Sequence, residues 1–225
     1  MAAEPSIRIK GNGLRGNTMS IKTLVVSLCV FLLLGCSDHT ESEEPTYGPD
    51  PSYRSISVVV PQHYDAWVET FILESVSGEI GWRAPIGIIT CCWKHPSGKN
   101  AEWQAMPGLV LIKWFSFAEQ QSYRALIKLE NAREIEDKMK QITKLERYGN
   151  ILEVPRYNLV FGLAPGGTVV VWIMNGAENA IEVGRYEATP YDHKKEGEVY
   201  TRRTESYLER QGDFLQENGI RYDGW

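Results

Sequence analysis

The chain carries 24 basic and 29 acidic residues over 225 positions, a net charge of −5, with 43% of residues apolar. That balance makes a poor surface for nucleic acid or anionic lipid headgroups, and is compatible with a basic protein partner. The length suffices for one domain with a sizeable core.

Residues 1–18 are mostly polar and precede Met19, an odd extension to stand ahead of an apolar run; they are read as a non-native N-terminal extension with Met19 as the true start. They contain GNGLRG, a formal G-x-G-x-x-G at Gly11, Gly13 and Gly16. That pattern cradles a dinucleotide phosphate only between a strand and a helix start, and neither flanks it here. From Leu24 to Leu34 the chain runs LVVSLCVFLLL without a charge. As a helix this rises roughly 17 Å, too short for a hydrocarbon core of about 30 Å. Lys22 stands just before it, so residues 19–35 have the charged head and apolar middle of an export signal. The end, Leu33-Leu34-Gly35-Cys36, resembles the lipobox of bacterial lipoproteins. A core helix ending in cysteine would explain the apolar run, but not the basic flank, the length, the box and the hydrophilic sequel together.

The lipobox resemblance implies lipid on the Cys36 thiol, cleavage before it and acylation of the new amine. Each buried methylene then adds about 0.8 kcal/mol of membrane affinity. Ser37, rather than Asp, comes after the anchor, which by the sorting rule for such proteins points to the periplasmic side of the outer membrane. Cleavage removes Arg8, Lys10, Arg15 and Lys22 against Glu4, leaving 20 basic and 28 acidic residues, a net charge of −8. The stretch SDHTESEEPTYGPDPSY has five acids, three prolines and no lysine or arginine. Residues 36–54 are therefore expected to be a lipidated cysteine and an acidic, proline-rich tether, with a reach of roughly 20–25 Å.

Residues 55–225 read as one β-rich globular domain. Short β-branched or aromatic segments bounded by Gly and Pro predict strands at 55–61, 66–76, 85–92, 109–115, 122–129, 157–163, 168–174 and 181–188. Two helices are expected. Residues 131–147 place Ile135, Met139, Ile142 and Leu145 at helical spacing, with acids early and bases late. Residues 198–217 align Tyr200, Tyr207, Leu208 and Leu215 and close on Asn218-Gly219, a C-cap signal. The expected fold is a β-rich α+β domain, a two-layer antiparallel sandwich with two packed helices.

Once Cys29 has left with the signal and Cys36 has taken lipid, Cys91 and Cys92 can pair only with each other. Adjacent Cα atoms lie closer than the usual disulfide range, so structural thiols at a strand end are the leading reading and a vicinal disulfide in an oxidising compartment the second. In YNLVFGLAPGGTVVVWI, Pro165 presets φ and Gly166 supplies a positive φ, a type II turn of a buried hairpin completed by Gly167. The Gly-Gly amides could bind an anion, but no helix start succeeds them to add its dipole.

Nothing in the chain suggests an enzyme. G-x-S-x-G, H-E-x-x-H and P-loop patterns are absent, and no cofactor or metal is expected. His39, His63, His95 and His193 are scattered, and Glu69, Glu119 and Glu187 read as solvated carboxylates beside strands. The candidate partner-binding residues are aromatic: Trp82, Trp93, Trp103, Tyr191, Tyr222 and Trp225 lie near proline- and glycine-rich loops or at the C-terminus, and such rings dominate interface hot spots. The alternative is that they cap the ends of a β core.

PQHYDAWVETFILESVSG, PGLVLIKWFSFAEQQSYRALIKL, YNLVFGLAPGGTVVVWI, IEVGRYEA and NGIRYDGW together resemble the bacterial lipoproteins catalogued as domain of unknown function 2931. CCWKHPSGKNAEWQAMPGLVLIKW is similar to a related lipoprotein group with paired cysteines, a tryptophan, Pro-Gly and a strand. The resemblance implies no established enzymatic activity. It implies an immunity lipoprotein partnered with a secreted phospholipase toxin of the type VI secretion system. A structural or assembly lipoprotein of the envelope, or a small hydrophobic-ligand carrier, is the alternative.

Overall fold

Alternation of buried and exposed residues is plainest in β7 (Gln121–Lys128), where Tyr123, Ala125 and Ile127 turn inward and Arg124, Leu126 and Lys128 outward. That period of two is what a half-buried strand requires. In the computed structural model, residues 54–84, 87–147, 149–192 and 198–225 are described. The extension at 1–18, the signal at 19–35, Cys36 with its tether up to residue 53, Pro85, Ile86 and His193 lie outside the described residues.

Two sheets form the layers. The first runs β12 (Ile181–Glu187), β11 (Thr168–Met174), β10 (Asn158–Leu163), β1 (Ser55–Val59), β5 (Lys99–Glu102). The second runs β13 (Thr189–Tyr191), β7, β6 (Pro107–Ser116), β2 (Ala66–Ser75). Beyond β2, β3 (Gly81–Arg83) pairs with its C-terminal half and β4 (Gly87–Ile89) with its N-terminal half. Neighbouring strands are antiparallel except β1 and β10, which run parallel from Ser55 opposite Asn158 to Val59 opposite Gly162.

Between the layers, Ile56, Val58, Phe161 and Val171 of the first sheet meet Val68, Phe71, Val110 and Ile112 of the second, all essentially without solvent contact. Phe71 and Phe161 pack edge-on at 5.6 Å across the interface. The interlayer space is thus filled by side chains. The first sheet is buried on its outer face too, which is why β10 and β11 read as continuous apolar runs.

The expected helix at 131–147 is divided. Its first part is α1 (Ala132–Lys140), which buries Ala132, Ile135 and Met139. At Gln141 the backbone turns extended and enters a two-stranded ribbon, β8 (Ile142–Arg147) with β9 (Asn150–Pro155). Leu145 stays buried while Ile142 is 64% exposed. A spacing of three serves a helix face, but two β-branched residues at 142–143 and a partner strand at 150–155 favour the ribbon. Of the strand expected at 85–92, Gly87–Ile89 is the strand among the described residues, and the cysteines lie beyond it in a loop. The short strands β3, β5 and β13 fall outside the expected set.

The second helix, α2 (Glu198–Asn218), covers part of the outer face of the second sheet. Tyr200 stacks on Trp67 at 4.6 Å, and Tyr207 on Phe117 at 5.6 Å. Leu208, expected on the same face, is 38% exposed. The helix closes as expected: Gly219 takes φ of 69° and its N–H donates to the Leu215 carbonyl at 2.8 Å. No helix among the described residues is long and apolar enough to cross a membrane.

Candidate binding site at the disulfide loop

Gly162 sits mid-strand in β10, where a Cβ would come within 2.5 Å of both the Trp93 and Trp172 rings. Its missing side chain lets Trp93, on the loop after β4, lie over the sheet and meet Trp172 edge-on at 4.8 Å. Trp225 packs against the same ring at 5.6 Å, and against Tyr64 at 5.5 Å. Arg221 lies over Trp225 at 4.7 Å, its guanidinium donating to the carbonyls of Asp223 and Gly224, while its backbone N–H donates to the Tyr64 hydroxyl. The C-terminal segment is thereby folded back onto the body.

Beside this ladder opens a cleft of about 860 Å³, lined by Cys91, Cys92 and Trp93 on one side and by His63, Asp65 and Arg210 on the other. Cys91 and Cys92 are joined as a vicinal disulfide, with Cα atoms 3.2 Å apart. The loop is tied to β1 where the Val60 N–H donates to the Cys91 carbonyl at 3.2 Å. His63, at φ of 73°, stacks on Phe214 of α2 with centroids 3.9 Å apart, and its Nδ1 bonds Gln211 Oε1 at 2.7 Å. The Tyr207 hydroxyl donates to the His63 carbonyl at 2.7 Å.

Asp65 has a side chain only 3% exposed, and Arg210 donates to it at 3.0 Å from a half-exposed position. Burial raises the Asp65 carboxyl above the ordinary carboxylate range, and the arginine only partly offsets that. No group of three His, Cys, Asp or Glu among the described residues could hold a metal ion. The cleft offers groups for recognition: a flat apolar patch of indole and disulfide beside a carboxyl, a guanidinium and planar amides, with Ser97 Oγ and His95 Nδ1 bonded to each other on its wall.

Of the aromatic candidates, Trp93 and Trp225 are brought into contact, and Tyr222, 57% exposed, lies on the same C-terminal segment beside Gly166. Trp82 is a buried core residue in β3, Trp103 packs on the core edge under Arg54, and Tyr191 sits on β13 with its hydroxyl 3.3 Å from Glu69. The turn at 164–167 takes the expected form, Gly166 at φ 79°, ψ 1°. Its amide binds an anion after all, the chain's own Glu119. The Gly166 N–H and the Tyr123 hydroxyl both donate to Glu119 Oε1, at 2.9 and 2.7 Å. Glu69 likewise accepts from the Tyr200 hydroxyl at 2.7 Å. These two carboxylates are therefore bound structural acceptors, and the sequence reading of solvated groups does not hold for them. His63, Tyr64, Asp65, Arg210, Phe214 and Arg221 are site residues that sequence reasoning misses. The adjacent aromatic and charged residues of PQHYD and IRYDGW are the available signal.

A family model described as protein of unknown function (DUF2931) matches residues 38–223. The chain belongs to the DUF2931 family. No curated protein and no solved structure matches it. The match spans both sheets, α2 and nearly the whole C-terminal segment of this DUF2931 chain, so the disulfide loop and most of the aromatic ladder fall within the family domain.

Proposed function

We propose that this chain is a lipoprotein, anchored through Cys36 on the periplasmic side of the outer membrane, that acts as an immunity protein by binding and neutralising a secreted type VI phospholipase. The observation that carries the binding role is the cluster of Trp93, Trp225, Tyr222 and Arg221 at one end of a rigid sandwich, residue types that dominate interface hot spots. The anchor rests on the FLLLGCSD signal and the acidic stretch after it, which would let the domain stand off the membrane and meet an enzyme that works there. The disulfide-lined cleft beside the ladder offers a recess for a protruding side chain of the toxin. The filled interlayer space gives no support to a carrier of hydrophobic ligands.

The test is a deletion strain challenged by toxin-bearing siblings. Restored wild-type protein should protect it, whereas Cys36→Ser should lose metabolic palmitate labelling and protection, and Tyr222→Ala with Arg221→Ala should keep the label but lose protection. A deletion strain that survives as well as its parent refutes the immunity role. Palmitate incorporation into Cys36→Ser refutes the anchor.

A further inference from the structure

The outer face of the five-stranded sheet changes character along its length. One end is Val59, Val160, Val170 and Trp172, packed beneath Trp93, and Met174 carries the apolar cluster on to the polar end, opposite Asn158. The other is Ser55, Ser57 and Asn158, with Asn100 from β5 and Asn175 just beyond β11. Ser55, Ser57, Asn158 and Asn175 are at least nine-tenths buried. Hydroxyls and amides in such a place cost free energy that valine, used by the same strands a few residues on, would not.

These groups are held rigidly. Ser55 Oγ donates to Asn158 Oδ1 at 2.5 Å, Ser57 Oγ to Asn100 Oδ1 at 2.6 Å, and the Tyr157 N–H to Asn175 Oδ1 at 2.8 Å. Each asparagine oxygen is thus taken by a protein donor. The amide nitrogens are less used: Asn158 gives one N–H to the Met174 carbonyl and Asn175 one to the Pro155 carbonyl, leaving each a second, and Asn100 Nδ2 has no partner among the described residues. The three amides line a cleft of about 520 Å³, within the usual range for small ligands. Pro96, Leu145 and Tyr157 give it an apolar wall; Glu146 and Glu178 bring carboxylates, Arg147 a guanidinium and His95 an imidazole.

Fixed amide donors beside carboxylate acceptors select a ligand whose groups both donate and accept. A carboxylate or phosphate would face Glu146 and Glu178, and an ammonium would face Arg147 and the amide N–H groups. Hydroxyls satisfy both. We propose that this cleft is a saccharide-binding site, taking a neutral sugar by its hydroxyls on Asn100, Asn158 and Glu178 and by its C–H face on Tyr157. The site adjoins the disulfide-lined cleft, sharing His95 and Ser97 with it, and the proposal does not rest on the immunity reading.

The test is saturation-transfer NMR on the full-length chain, in a detergent without a sugar headgroup, with glucose, N-acetylglucosamine, N-acetylglucosamine trimer and acetate as probes. At least one sugar should receive saturation and acetate should not. Asn100→Ala and Glu178→Ala should each weaken that sugar about tenfold, the loss of one hydrogen bond to a fixed or charged group. Glu178 is exposed and outside the strands, so its variant keeps the test sound should Asn100→Ala lower the melting temperature. Silence from every sugar, equal affinity in a folded Glu178→Ala variant, or acetate matching the sugars would overturn the proposal.

Discussion

Alanine in place of a mid-strand glycine ordinarily stabilises by about 0.5–1 kcal/mol, because glycine loses more freedom on folding. At Gly162 the sign should reverse. A Cβ there would stand 2.5 Å from the rings of both Trp93 and Trp172, far inside van der Waals contact. Trp172 is 2% exposed with no room to retreat, so Trp93 must move, and with it the loop carrying the disulfide. Overpacking of this kind costs about 1–3 kcal/mol. Less the glycine term, Gly162→Ala should destabilise by up to about 2.5 kcal/mol, a melting temperature lower by up to about 10 °C for a domain of this size. Thermal unfolding measures the total, and near-UV circular dichroism reads the perpendicular Trp93–Trp172 pair directly. A double-mutant cycle isolates the cause: Trp93→Ala should cost about 1 kcal/mol less in the Gly162→Ala background than alone. A Gly162→Ala protein that melts at or above wild type with an unchanged aromatic spectrum refutes the reasoning.

Glu119→Ala removes the acceptor shared by Tyr123 and Gly166 and should destabilise by about 1.5–3 kcal/mol, measured by urea unfolding. Burial first and Glu119 second hold the Tyr123 phenol above its ordinary pKa, so Glu119→Gln should bring that titration down without returning it to the free value, read by ultraviolet absorbance. Asp65 holds its proton more tightly folded than unfolded, chiefly through burial. Its contribution is therefore fully present below the ordinary carboxylate pKa of about 3.9 and is lost as pH rises through the raised folded value. Asp65→Asn should flatten that part of the stability–pH curve, and an unchanged slope refutes the assignment. Gly166→Ala forces a side chain to φ of 79° and should cost about 1 kcal/mol, detected as a lower melting temperature.

What can be read from sequence is what short-range stereochemistry decides. Pro165-Gly166 fixes its own turn, and Asn218-Gly219 its own cap, so both take the expected form. Strands with two buried or one buried face announce themselves through composition, which is why the long strands of both sheets fall close to their expected positions. The ribbon at 142–155 escapes such reading because Ile142 and Leu145 satisfy helical spacing and strand propensity alike, and only pairing with a second segment decides. The site is less legible. Glu119 and Gly166 are 47 positions apart, and Tyr64 and Arg221 are 157, separations on which local pattern carries no information. The aromatic candidates illustrate both outcomes: Trp93 and Trp225 meet, whereas Trp82 serves the core, and nothing in their flanking residues separates the two roles.

The loop after β4 links the features argued to carry function. It exists because the outer face of the five-stranded sheet is too apolar at one end to meet water, and Trp93 roofs that end. Its two ends are held by the backbone of one strand. Cys91 bonds Val60 at the end of β1, and Gly98 passes so close to Val58 that any Cβ would collide with that residue's carbonyl. Between those points, Trp93 and the disulfide line the cleft beside the aromatic ladder, Pro96 walls the cleft floored by asparagines, and His95 and Ser97, bonded to each other, line both. One short segment is therefore the common wall of two recesses of different chemistry.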